Sequence, residues 1–292
     1  MQLHQYIDSI TIQIINIQRY QTEIIEFYQT NFLIFIEADI QSVNDLHKAD
    51  IIALKLNTRE PIIYSYCNGT FDNDTTYTTF KFVGIKSYNQ KQDKRKMNIL
   101  NEFVDFLIEN DIEYRLTTID ISYDFHTKKS IKNFFPIRVN KQGLKSEVNN
   151  PFNYYENTTL YLENKDIKKP SLKAYIYDKS VKNNLKEPII RFEISIRNIK
   201  SKHSDYQLIL NHINQQLSKY KLFYFDIIAN CNESKRLYKK SYKASRKLEK
   251  LIDKLNGTQI ELMLSSEIVE FISKLYCKQE IENILSCYHS II

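Results

Sequence analysis

The chain has 292 residues but only four glycines, five prolines and no tryptophan. These scarcities accompany abundant Ile, Asn, Lys and Tyr, the footprint of an AT-rich coding sequence, so Lys and Tyr counts are not diagnostic in themselves. Cysteine is sparse: Cys67, Cys231, Cys277 and Cys287 stand at irregular spacing. No Cys-x-x-Cys pair offers a zinc site, and this density excludes a disulfide framework; reduced thiols are expected. No apolar run approaches about 18 residues, which excludes a membrane-spanning helix, and no basic-then-apolar leader opens the chain. A soluble, cytoplasmic protein without membrane partners is expected. There is no internal repeat and no low-complexity tail. What remains is a chain with 42% hydrophobic residues, enough to fold, and a net charge of +6 that permits a polyanionic partner without proving one.

Three stretches alternate polar and apolar residues, at 117–126, 173–179 and 189–197. Residues two apart on a strand share a face. One face of the first therefore shows Thr118, Asp120, Ser122, Asp124 and His126. The second shows Tyr175, Tyr177 and Lys179, and the third Arg191, Glu193, Ser195 and Arg197. The opposite faces are largely apolar. If the three strands share a sheet, carboxylates, a histidine, a tyrosine pair and cations crowd one surface.

Further strands are expected over 7–17, 31–38, 51–56, 61–67 and 76–88. Between 94 and 110, Met97, Leu100, Phe103, Val104, Phe106 and Leu107 fall at helical spacing. That helix leads directly into the Asp120 strand, giving half of a ferredoxin-like split β-α-β unit. The polar segment 133–169 reads as loops around a short strand at 159–162. Past about residue 200 the pattern turns helical, over 206–220, 233–255 and 265–291, and Asn256-Gly257 makes a good helix stop. The segment 233–255 carries Lys239, Lys240, Lys243, Arg246, Lys247 and further cations against three acids. The expected fold is α+β: a β-rich domain over 1–200 with an antiparallel sheet and packed helices, then a helical, basic region over 201–292.

Cutting a phosphodiester with a tyrosine requires a phenol near the phosphate, positive charge near phosphorus, and a strand held in line. A tyrosine with a pKa of about 10 needs assistance as a nucleophile. Asp120, Asp124 and Glu193 could hold a hard divalent ion, with His126 as a further candidate. Tyr177 or Tyr175 would be the nucleophile, assisted by Lys179. Each piece has a plainer explanation. An antiparallel sheet commonly shows water a polar face. Glu193 between Arg191 and Arg197 suits a surface ion-pair row, tyrosines usually pack, and a basic helix is usually a solvated face. Two aspartates on one strand face nevertheless repel unless something positive lies between them.

The order Ile119-Asp120-Ile121-x-x-Asp124, then Tyr177-Asp178-Lys179, then Arg191-Phe192-Glu193-Ile194-x-Ile196-Arg197 resembles rolling-circle replication initiators. Plasmid replication initiation factors and related relaxases come nearest, and filamentous-phage initiators second. The resemblance covers residues 114–198. It implies a metal-dependent, site-specific single-strand endonuclease whose tyrosine joins covalently to a 5′-phosphate and frees a 3′-OH for synthesis. Tyr177 would be the nucleophile with Lys179 assisting, and Asp120 and Glu193 the metal-site carboxylates for Mg²⁺ or Mn²⁺. DNA, as an origin hairpin or single strand, would be the partner, held through Arg191, Arg197 and the basic helix. Host helicase and polymerase would follow, and a homodimer is compatible with the pattern. Two departures stand out: the six histidines contain no His-hydrophobic-His pair, and Tyr175 stands where a cation is expected. Two other functions fit the same residues: a DNA-binding protein that does not nick, and an accessory interaction protein.

Overall fold

The structure is a computed structural model that describes residues 2–15, 21–31, 34–38, 51–55, 63–69, 76–85, 94–140, 143–145, 159–162, 172–197, 199, 206–226 and 245–275. It is an α+β protein. Two compact units divide the chain, and they interleave in sequence. The first comprises 1–6, 121–197 and 207–269; the second comprises 7–120, 198–206 and 270–292.

The second unit is built on β2 (Ile34–Ala38), β3 (Ile51–Lys55), β4 (Ile63–Gly69), β5 (Thr76–Phe82), residues 7–15 of β1 (Gln2–Ile15) and residues 114–120 of β6 (Tyr114–His126), in the order β2-β3-β4-β5-β1-β6. The pairs β2–β3, β3–β4, β4–β5 and β5–β1 are antiparallel. Contacts from Gln13 to Arg115, Thr11 to Thr117 and Ser9 to Asp120 descend β1 while climbing β6, the antiparallel sense again. Strand β5 reaches β6 through helix α2 (Lys94–Glu109), and β1 lies between them. This is the split β-α-β arrangement expected from the sequence.

Helix α2 forms because Ile99, Leu100, Phe103, Val104 and Leu107 line one side of it, and all are buried. Phe103 packs against Phe80, Phe82 and Phe27, the last from helix α1 (Gln21–Asn31), a short helix for which the sequence pattern offered no expectation.

In the first unit, β6 continues the order into β11 (Ile189–Arg197), β10 (Leu172–Asp178) and β9 (Thr159–Leu162). Strand β10 pairs antiparallel with both neighbours, placing Tyr175 opposite Glu193 and Tyr177 opposite Arg191 on one side, and Tyr175 opposite Tyr161 on the other. The three alternating stretches are therefore neighbouring strands of one sheet, with the Arg-x-Glu strand in the middle.

A second sheet in this unit has the order β13 (Thr258–Ile260), β12 (Tyr220–Tyr224), β7 (Phe134–Asn140), β8 (Gly143–Lys145). Strands β7 and β8 correct the expectation of loops over 133–158. Pro136 hides β7 in the sequence, because proline lacks a ladder donor. Among the described residues, β8 pairs only with Arg138 to Asn140, and Pro136 has a strand partner in β12 alone, so its missing donor is tolerated. Past residue 200 the described residues form helices over Tyr206–Leu217, Ser245–Lys254 and 266–275, and they also supply β12 and β13.

The helix Ser245–Lys254 buries Leu248 and Ile252 against Phe135, Ile137, Phe223 and Phe225 of the second sheet. It stops where expected. Asn256 takes the left-handed conformation, and the Gly257 amide donates to the Ile252 carbonyl.

Candidate nucleotidyl-transfer site

Alternation brings the polar side chains of β6, β11 and β10 to one face of the first unit, but that face is not solvated. Asp124 and Arg191 are 0% exposed, and Glu193 is 4% exposed. Buried charges persist only when paired and hydrogen-bonded. Arg191 donates from Nε to Asp124 Oδ1 at 2.6 Å and from Nη2 to Asp124 Oδ2 at 2.9 Å, the two-pronged arrangement that a guanidinium and a carboxylate favour. Its Nη1 lies 4.0 Å from Glu193 Oε2. The expected surface row of Arg191, Glu193 and Arg197 is thus replaced by a buried cross-strand pair, while Arg197 is only partly buried at the end of β11. Tyr6, at the start of β1, also feels the pair: burial first, and then the Asp124 charge, raises its pKa, while Arg191 pulls it down.

Glu193 is the centre of the arrangement. The Tyr175 hydroxyl donates to its Oε1, and the Tyr177 hydroxyl donates to its Oε2 at 3.1 Å. One carboxylate thus holds both candidate nucleophiles. The rings of the two tyrosines stack 5.8 Å apart. They differ in access: Tyr177 is 2% exposed, whereas Tyr175 is partly exposed and packs against Tyr161 of β9. Tyr161 was not anticipated; the alternation of 159–162 was its only signal.

Lys179 is not on the strand as the sequence suggested. Asp178 accepts the Val181 amide and caps a short helix, α3 (Lys179–Asn183), so Lys179 opens a helix. It is buried, with Nζ 5.8 Å from the centre of the Tyr177 ring. Exposed Lys182, also unanticipated, comes closer at 4.5 Å, within cation–π range.

The carboxylates and histidine expected to share a metal are distributed otherwise. Asp124 faces Arg191 and Glu193 faces the tyrosines. His126 stands edge-on to His4 at 5.1 Å and puts Nδ1 3.7 Å from Glu187 Oε2. Asp120, in the second unit, accepts the Ser9 hydroxyl on Oδ2, while its Oδ1 is buried without a hydrogen-bond partner among the described residues. Among the described residues no group of three or more His, Cys, Asp or Glu side chains is placed to hold one metal ion. Within the first unit, Asp124 and Glu193 both already serve protein donors.

What the face does assemble is a phenol pair on a carboxylate. The chain is similar to a rolling circle replication initiator protein from Geobacillus stearothermophilus, with a TM-score of 0.42 and 14% identity, over 87% of this chain and 97% of that one. No protein-family model matches the chain, and no curated protein does.

Of the cations expected to contact DNA, Arg246 and Lys247 lie in the helix Ser245–Lys254, and Lys239, Lys240 and Lys243 lie outside the described residues. Among the described residues no helix is long and apolar enough to cross a membrane.

Proposed function

We propose that this protein nicks one strand of DNA through a tyrosine and so initiates rolling-circle replication. The observation that carries the proposal is the Glu193 carboxylate accepting both tyrosine hydroxyls on a buried sheet face. The order of the Asp120, Tyr177 and Arg191-x-Glu193 motifs supports it from the sequence side. A phenol that donates to a carboxylate has a proton acceptor already in hydrogen-bond reach, which is the first geometric demand of general-base catalysis.

Tyr175 is the better-placed nucleophile, because attack requires the phosphorus to come within roughly 3–3.5 Å of the phenol oxygen, and its side chain is the accessible one. In the step proposed, the Tyr175 proton passes to Glu193 as the phenol oxygen bonds to phosphorus. The bond from phosphorus to the 3′-oxygen breaks, and that oxygen takes a proton from water to become a 3′-OH. Glu193 later returns its proton to solvent. The products are a 5′-phosphotyrosine and a primer end for a host polymerase, with a host helicase opening the duplex.

Lys182 and Lys179 beside Tyr177 would favour negative charge on the phosphate. Arg197 and the basic helix carrying Arg246 and Lys247 would neutralise backbone phosphates. The resemblance implies Mg²⁺ or Mn²⁺, but Asp124 and Glu193, two of the side chains expected to hold it, are engaged by Arg191 and by the two tyrosines. The steps above therefore rest on the protein's own groups.

A second function is favoured by the near-complete burial of Tyr177, the nucleophile that the resemblance implies: a DNA-binding protein of the same fold that does not cut. Supercoiled plasmid carrying the coding region and its flanks, incubated with the protein and Mn²⁺, separates the two. Open circles with protein bound to the cut end support nicking. Salt-sensitive binding without open circles supports the non-cutting protein and overturns the enzyme.

A further inference from the structure

We infer that Asp124 and Arg191 are positioning residues that set Glu193 against the tyrosine hydroxyls, with Asp124 acting through Arg191 instead of holding an ion. The inference rests on the proposed nicking function and assigns these two residues a place in it.

Arg191 is fully buried between two carboxylates, Asp124 and Glu193, and it serves them unequally. Two of its nitrogens hydrogen-bond Asp124 at 2.6 and 2.9 Å, while the third stands 4.0 Å from Glu193 Oε2, beyond a hydrogen bond. That same Oε2 accepts the Tyr177 hydroxyl at 3.1 Å, and Oε1 accepts Tyr175. Asp124 thus anchors the guanidinium where it steadies Glu193 without taking its lone pairs. Hydrogen bonds between two charged groups are about twice as strong as neutral ones. Were Asp124 uncharged, Arg191 would close the gap onto Glu193, displace a tyrosine and make the carboxylate a poorer proton acceptor. With both its oxygens engaged by Arg191, the Asp124 charge is offset by the arginine.

The test is a set of variants assayed for single-turnover nicking of the same plasmid across a Mn²⁺ titration. Binding of a fluorescent single-stranded oligonucleotide and denaturant unfolding are measured in parallel. Asp124→Asn should lower the nicking rate constant by about 100-fold, the scale of a misplaced catalytic group, with oligonucleotide affinity and Mn²⁺ midpoint unchanged. Asp124→Glu, which keeps the charge, should recover part of the rate. The sharpest expectation concerns the pair: Asp124→Asn with Arg191→Gln should nick faster than Asp124→Asn alone, because the intruding cation is gone.

A Mn²⁺ midpoint raised by Asp124→Asn, with the rate recovered at high Mn²⁺, would overturn the inference in favour of a metal ligand. A double variant slower than the single would overturn it too. If Asp124→Asn fails to fold, the double variant removes both members of the pair, keeps the net charge of the buried group, and carries the test by itself. An unchanged Mn²⁺ midpoint there supports the inference, and a raised one overturns it. Wild-type protein that leaves the plasmid uncut overturns the functional proposal and this inference with it, an outcome distinct from both.

Discussion

Two parts of the first unit bury side chains between strands by opposite means. Where the helix Ser245–Lys254 covers the second sheet, the buried layer is wholly apolar: Phe135, Ile137, Phe223, Phe225, Leu248 and Ile252. On the face shared by β6, β11 and β10, equally buried positions carry Asp124, Arg191, Glu193 and Tyr177. An apolar layer gains stability in proportion to area and tolerates exchange of one hydrocarbon for another. A buried charged layer gains little over an apolar one, and loses heavily when one partner is removed. Its burial fits the chemistry proposed for this face. The difference sets what each region should do when broken.

The largest effect should come from the charged face and should fall on activity. Glu193→Gln keeps the shape and one acceptor but removes the base, so nicking should drop roughly 10²- to 10⁴-fold, the usual contribution of a positioned base. A single-turnover assay checks this, with circular dichroism showing the fold retained. The apolar layer should show the converse. Phe225→Ala should cost about 3–5 kcal/mol in denaturant unfolding, through lost burial and the cavity left behind.

Gly257→Ala should cost less, about 1–3 kcal/mol, by overpacking. A Cβ there would come within 2.6 Å of the Phe225 ring and 2.8 Å of Ile252. Neither change in the apolar layer should lower the nicking rate of the molecules that remain folded.

The smallest effect belongs to the surface. Lys129 Nζ lies 2.8 Å from Asp226 Oδ1, and that hydrogen bond holds the Asp226 carboxyl below its ordinary pKa, helped by the Tyr224 hydroxyl. A lowered carboxylate pKa adds stability that is present above the unfolded value and fades as pH falls through the folded one. Asp226→Asn should therefore lower the melting temperature slightly near neutrality, and the gap from wild type should vanish in strong acid. Melting curves at neutral and acid pH check this.

The contrast also explains how much could be read beforehand. Alternation with period two is a local property, so the three polar faces and their strands were legible in the chain. The pairing of charges was not. Whether Arg191 turns to Asp124 or to Glu193 depends on which strand lies on each side of it, and a sequence does not print that register. Lys179 was placed on the strand because the count of two continued through it, while Asp178 was already capping the next helix. Strand β7 was obscured by Pro136, which reads as a break unless the short reach of β8 is known. The metal set was assembled from residue types alone, and the geometry gave two of its carboxylates to protein donors instead.

The central claim is that the carboxylate-held tyrosine pair makes a covalent bond to DNA. Trapping the protein on plasmid carrying its own coding region and flanks, digesting the adduct and locating the nucleotide by mass spectrometry tests it most directly. The account predicts a nucleotide on Tyr175, loss of that adduct in Tyr175→Phe, and its near absence in Glu193→Gln. An adduct on a tyrosine that does not touch Glu193, or one formed equally well without the Glu193 carboxylate, would contradict it.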